Sequence, residues 1–136
     1  MREYSTLIRV RPRTTTAAML NGMTLFDLLT RTAESDTELL RKNDALGDVF
    51  ATPREVDFAF ETAERERASD LAEFVNGKQY GVARISQLEN GRFRVLVFIT
   101  MPINQHLVCS VSGFMLCLSR LFQIDYQGWG SVIQRS

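Results

Sequence analysis

The alternation of apolar and polar positions is broken most clearly at Phe93 to Met101, a β-branched and aromatic run that stops at Pro102. Phe93, Val95, Val97, Ile99 and Met101 point one way in an extended chain, and Leu96 and Phe98 point the other. That pattern predicts a strand covered on both faces with neighbours on both sides. Asn90-Gly91 just before it is a strong hairpin signal, so the run reads as strand rather than buried helix. Tyr80 to Ser86 supplies the hairpin partner through Glu89-Asn90-Gly91-Arg92. Upstream, Val56, Phe58 and Phe60 alternate with Asp57, Ala59 and Glu61, which predicts a strand at 54 to 61 with one core face.

Between these strands Ala68, Leu71, Ala72 and Val75 share a helical stripe, with Thr62 as candidate cap and Asn76-Gly77 as the stop. Glu64 to Arg67 reads as a solvated helix face. After Pro102, Asn104 is placed to cap a long helix reaching about Gln123. Leu107, Val111, Phe114, Leu118 and Leu121 form its stripe, with Val108, Met115 and Phe122 beside it, a band broad enough to meet a sheet and one more element. Ile124 to Ile133 predicts a last strand bent by Gly128 and Gly130.

From Thr24, Leu25, Leu28, Leu29, Leu39 and Leu40 give a helical preface. Ser35-Asp36 interrupts it with capping residues, predicting two short helices or one broken helix that ends near Asn43 to Gly47. These helices carry too few apolar residues to fold alone and must dock on something. The order after the preface is βαββαβ. Right-handed crossovers place the strands at 54 to 61 and 93 to 101 in the centre of a four-stranded antiparallel sheet with two helices on one face, a ferredoxin-like α+β layout. The second face of the sheet then needs the preface or another subunit as cover.

Length fits one domain: 136 residues, 45% hydrophobic and 24% charged. Residues 1 to 18 hold Arg2, Arg9, Arg11 and Arg13 and read as a basic tail or short accessory strand, and Met19 or Met23 could begin a shorter chain; residues 19 to 136 form the domain. Sixteen basic residues balance sixteen acidic ones, so net charge points to neither nucleic acid nor an anionic membrane. Cys109 and Cys117, eight apart on a helix, lie about 12 Å apart along its axis and cannot bridge. The absence of a signal peptide or an apolar run of spanning length suggests a cytoplasmic protein with two small buried thiols.

Chemistry is sparse. No Gly-rich phosphate loop, no C-x-x-C and no His/Glu metal spacing occurs, so neither an enzyme nor a cofactor is expected. His106 sits in a helix first turn, where packing or solvation is its ordinary role, and Cys109 near that helix start has only His106 as a candidate base. Asp48, Arg54 and Asp57 fall in or beside one loop, as a structural ion pair or turn bond, or as a ligand contact. The βαββαβ order is shared with RNA-recognition motifs. Here, however, Phe93 and Phe98 are five apart and so on opposite faces, and the first strand has Val56-Asp57-Phe58 in place of a stacking aromatic followed by Asn, so direct nucleic-acid stacking is not expected.

Gly47-Asp48 followed by Arg54-Glu55-Val56-Asp57, and the closing Asp125-Tyr126-Gln127-Gly128-Trp129-Gly130, resemble the B-type protein regulators of ribonuclease E activity, the RraB family. The closing motif is the more specific: the family carries Tyr-Asp-Gly-Trp there, and only Gln127 departs. The resemblance spans roughly residues 25 to 134. It implies a ferredoxin-like, non-enzymatic protein that binds the noncatalytic scaffold region of ribonuclease E and lowers RNA cleavage. Asp48, Arg54, Asp57, Tyr126, Gly128 and Trp129 are the matching positions and so the candidate partner-binding or motif residues. The other reading is an interaction or small-ligand-binding domain of the same fold with an unrelated partner, or a homodimer through the open sheet face.

Overall fold

The computed structural model describes residues 2–3 and 22–135. In chain order the elements are β1 (Arg2–Glu3), α1 (Leu25–Ala45), β2 (Arg54–Thr62), α2 (Arg65–Lys78), β3 (Val82–Gln87), β4 (Phe93–Met101), α3 (Gln105–Phe122), β5 (Asp125–Ser131) and β6 (Ile133–Gln134). Strands β2 to β5 form one antiparallel sheet in the order β3-β4-β2-β5. This is the anticipated ferredoxin-like arrangement, with β2 and β4 central. β1 and β6 form a separate two-stranded ladder, Arg2 opposite Gln134 and Glu3 opposite Ile133. The rest of the basic segment 1 to 18 lies outside the described residues.

β4 has the bounds its sequence suggested, and the hairpin to β3 turns at Gly91, whose φ of +86° suits glycine. Val56, Phe58 and Phe60 of β2 and Val95 and Val97 of β4 are fully buried under α2 and α3. β3 starts two residues later than expected. Tyr80 joins an aromatic cluster instead, 5.8 Å from Phe74 and 4.9 Å from Phe114 between ring centroids. Thr62 does not cap α2 directly: its hydroxyl accepts the Glu64 N–H at 3.1 Å, one step ahead of the helix. Asn76 does not end α2 either, because its side-chain amide accepts from the Ala83 N–H at 2.8 Å and donates to the Ala83 carbonyl at 3.2 Å, tying the helix to β3.

The preface departs most from expectation. α1 is one unbroken helix of 21 residues, started by a reciprocal cap in which Thr24 Oγ1 accepts the Asp27 N–H and Asp27 Oδ2 accepts the Thr24 N–H. Ser35-Asp36 does not interrupt it, since the Asp36 side chain is turned into the protein and tertiary packing overrides the local capping preference. α1 also does not cover the second sheet face. It packs along α3 and against β5, extending the helical layer to three helices.

Leu96 and Phe98 are therefore only half-buried, with the Arg84 guanidinium 5.6 Å over the Phe98 ring. Phe98→Asp is expected to cost about 1–2 kcal/mol, because the new carboxylate meets Arg84 but also stands opposite Asp57. A loss in urea unfolding well above that, deepening with dilution, would show that a second copy covers this face.

The line of α3 that meets the core is Val108, Ser112, Met115, Leu116, Leu118 and Ser119. Of the band anticipated from sequence, Leu118, Val108 and Met115 lie on this line, while Phe114 at 38% and Leu121 at 70% exposure face away from it. With 18 residues at mean hydropathy 1.2, α3 is long and apolar enough to cross a membrane, contrary to the sequence expectation, yet in this fold it is the central packing helix. Cys117 is exposed and Cys109 half-buried, so the thiols are not the buried pair expected; both are free.

Candidate partner-binding site

Two of the motif residues meet at the start of β2. Arg54 and Asp48 form an ion pair with both side chains inaccessible, Arg54 Nη1 lying 2.6 Å and 2.7 Å from the two carboxylate oxygens. The guanidinium also donates to three carbonyls, those of Val132 (3.1 Å), Val49 (2.6 Å) and Thr52 (3.1 Å). Asp48 accepts from Asn43 Nδ2 at 3.2 Å and from the Gln134 N–H at 3.1 Å. A buried charge pair is tolerable only when its remaining donors and acceptors are satisfied, as they are here. Geometrically this is the ion-pair alternative: it staples the loop after α1 to the chain leaving β5, helped by Val49 N–H to Gln134 O at 2.7 Å.

The closing motif works through a bulge. In a regular strand Tyr126 and Trp129, three apart, would point to opposite faces. The pairing of β5 with β2 slips between Ala59 and Phe60, so Tyr126 stands opposite Phe60 and Trp129 opposite Phe58, both on the helical side. Gln127 is the extra residue, and Gly128, at φ +96°, makes the kink. Gln127, where the chain departs from the family motif, is thus the inserted position. Tyr126 packs 5.2 Å from Phe60 and shares a 2.7 Å hydrogen bond with Ser112 Oγ. Trp129 is 1% exposed. Asp57, unlike the buried Asp48, faces the side of the sheet away from the helices, between Phe98 and Gly130.

Sequence reasoning missed Asp36. It sits with Leu28, Thr32, Leu39 and Asn43 on the buried line of α1 at helical spacing, and a carboxylate falling on that line was the available signal. Burial pushes its carboxyl up to about 7, while the Ser112 hydroxyl and the Trp129 indole beside it draw it partly back. These contacts are looser than full hydrogen bonds, for Asp36 Oδ2, Thr32 Oγ1 and Trp129 Nε1 all lack a partner in hydrogen-bond geometry. The Cys109 thiol is raised, first by burial and then by the Asp36 charge, the opposite of what a nucleophile needs. His106 is exposed in the first turn of α3.

Among the described residues, the sheet face away from the helices and a groove on the helical side are surfaces that a partner could meet. On the bare sheet face Glu61 pairs with Arg94 at 2.8 Å and Arg92 at 3.7 Å, and Arg92 reaches Asp125 at 3.3 Å. Toward the β3 side a depression of about 370 Å³ is lined by Glu55, Tyr80, Val82, Arg84, Phe98 and Thr100. On the helical side Tyr80, Ile99, Val111, Phe114 and Met115 line an apolar groove of about 260 Å³. Among the described residues no group of three or more His, Cys, Asp or Glu side chains could hold a metal ion.

A family model described as Regulator of ribonuclease activity B (RraB) matches residues 33–131, from the middle of α1 to the end of β5. A search of curated proteins finds no match.

Proposed function

Since the chain belongs to the regulator of ribonuclease activity B family, we propose that it is a non-enzymatic protein regulator that binds ribonuclease E, through the noncatalytic scaffold region, and restrains RNA decay in the cytoplasm. The observation that carries this reading is the family match across the whole four-stranded sheet and most of the helical layer. Of the motif residues, Asp48, Arg54, Tyr126 and Trp129 are buried and shape the body of the fold, Gly128 kinks the closing strand, and Asp57 lies half-buried on the sheet face away from the helices, where a partner would be met.

A regulator acting by binding saturates at a fixed ratio to its enzyme. Titrated into ribonuclease E cleavage of a structured RNA, the protein is expected to inhibit up to that ratio and to lose its effect on enzyme lacking the scaffold. With sixteen positive and sixteen negative side chains, binding has a shallow dependence on ionic strength. No binding and no inhibition at either of two ionic strengths would leave the other reading, an interaction or small-ligand domain with an unrelated partner or a homodimer through the sheet face.

A further inference from the structure

We infer that Asp36 is a proton-controlled latch on α1: with the carboxyl neutral the helix docks on α3 and β5, and with the carboxyl ionised that docking is loosened. The inference is independent of which partner the protein binds. It starts from a local imbalance. Asp36 is 3% exposed at the junction of three elements, and one of its oxygens, the Thr32 hydroxyl one turn earlier and the Trp129 N–H opposite are all left without a hydrogen-bond partner. A buried ionised carboxylate in such a place needs a cation or several donors. The groups that face it from α3 are Ser112 and the Cys109 thiol; from β5 they are the Trp129 indole and, through Ser112, the Tyr126 hydroxyl. None of these is a cation.

The seam that Asp36 closes mixes apolar and polar side chains. Of the six buried residues on α1, only Leu28, Leu39 and Leu40 are apolar, and the facing line of α3 contains Ser112. Gly113 lies under Leu29, where an added Cβ would meet Leu29 Cδ2 at 3.5 Å. Ionisation therefore acts in the polar middle of this seam, where Thr32 and Asp36 lie between Leu28 and Leu39, and opening α1 lets water reach the carboxylate.

The sign follows from the direction of the shift. The docked state holds the proton more tightly than a solvated carboxyl, whose value is 3.8, and releases it at about 7. Docking is then fully favoured below about pH 4, weakens as pH rises to about 7, and is level above that, a change on the order of a thousandfold in the docked-to-open ratio.

Trp129 is the sole tryptophan and stands against Asp36, so it reports the latch directly. Its emission, the amide exchange of α1 and the carboxyl carbon shift of Asp36 would be followed from about pH 3 to 8.5. Expected are one transition near neutrality in all three, faster exchange in α1 than in β2 at high pH, and loss of the transition in Asp36→Asn. As a control at the only histidine, His106→Gln must keep the transition. An Asp36 carbon shift that titrates near pH 4, a transition that survives Asp36→Asn, or exchange that rises equally in α1 and β2 would overturn the inference. The carbon shift needs no variant, so it decides the matter even if Asp36→Asn folds poorly.

Discussion

Arg54→Met is expected to lower the unfolding free energy by about 3–5 kcal/mol, among the largest effects of any single change in this protein. The substitution leaves the Asp48 carboxylate inaccessible to water and without its cation, and it frees three carbonyls that the guanidinium now satisfies. The signature distinguishing this from simple loss of packing is non-additivity. Asp48→Asn combined with Arg54→Met removes both charges and should be less destabilised than Arg54→Met alone. Urea midpoints for the wild type, both single variants and the double variant would measure it. A loss below about 1 kcal/mol for Arg54→Met would mean that the loop and the closing strand are held together by something other than this pair.

Trp129→Ala is expected to cost about 3–5 kcal/mol. The ring is almost wholly buried, on the helical face of β5 opposite Phe58, and truncation leaves a void beneath α1 and α3. Trp129→Phe retains most of the apolar volume and should recover much of the loss, since the indole N–H has no hydrogen-bond partner to forfeit. In the native protein the emission of this single tryptophan should be blue-shifted and resistant to iodide. Red-shifted, readily quenched emission would instead make Trp129 an exposed anchor for a partner.

How far the chain could be read in advance depended on the range of the interactions involved. β4 was legible because its information is local: a continuous β-branched run, a proline stop and an Asn-Gly turn lie within a dozen residues. Strand order followed from the sequence of elements and the handedness of crossovers. The family resemblance was legible for a similar reason, since the closing motif is contiguous in the chain.

What the sequence by itself determined, then, was the type and order of the elements after the preface and which face of each central strand turns inward, because hydrophobic period, caps and turns are written in neighbouring residues. Tertiary structure alone decided the rest. Asp48 and Arg54 find Val132 and Gln134 some eighty positions away, and no local pattern encodes that distance. Tyr126 and Trp129 share a face only because pairing with β2 inserts Gln127 as a bulge. Ser35-Asp36 reads as a helix break until α3 and β5 provide a place for the Asp36 side chain inside the fold. In each case the same side chain has two locally acceptable roles, and the choice rests on the free energy of contacts that exist only once distant segments have packed.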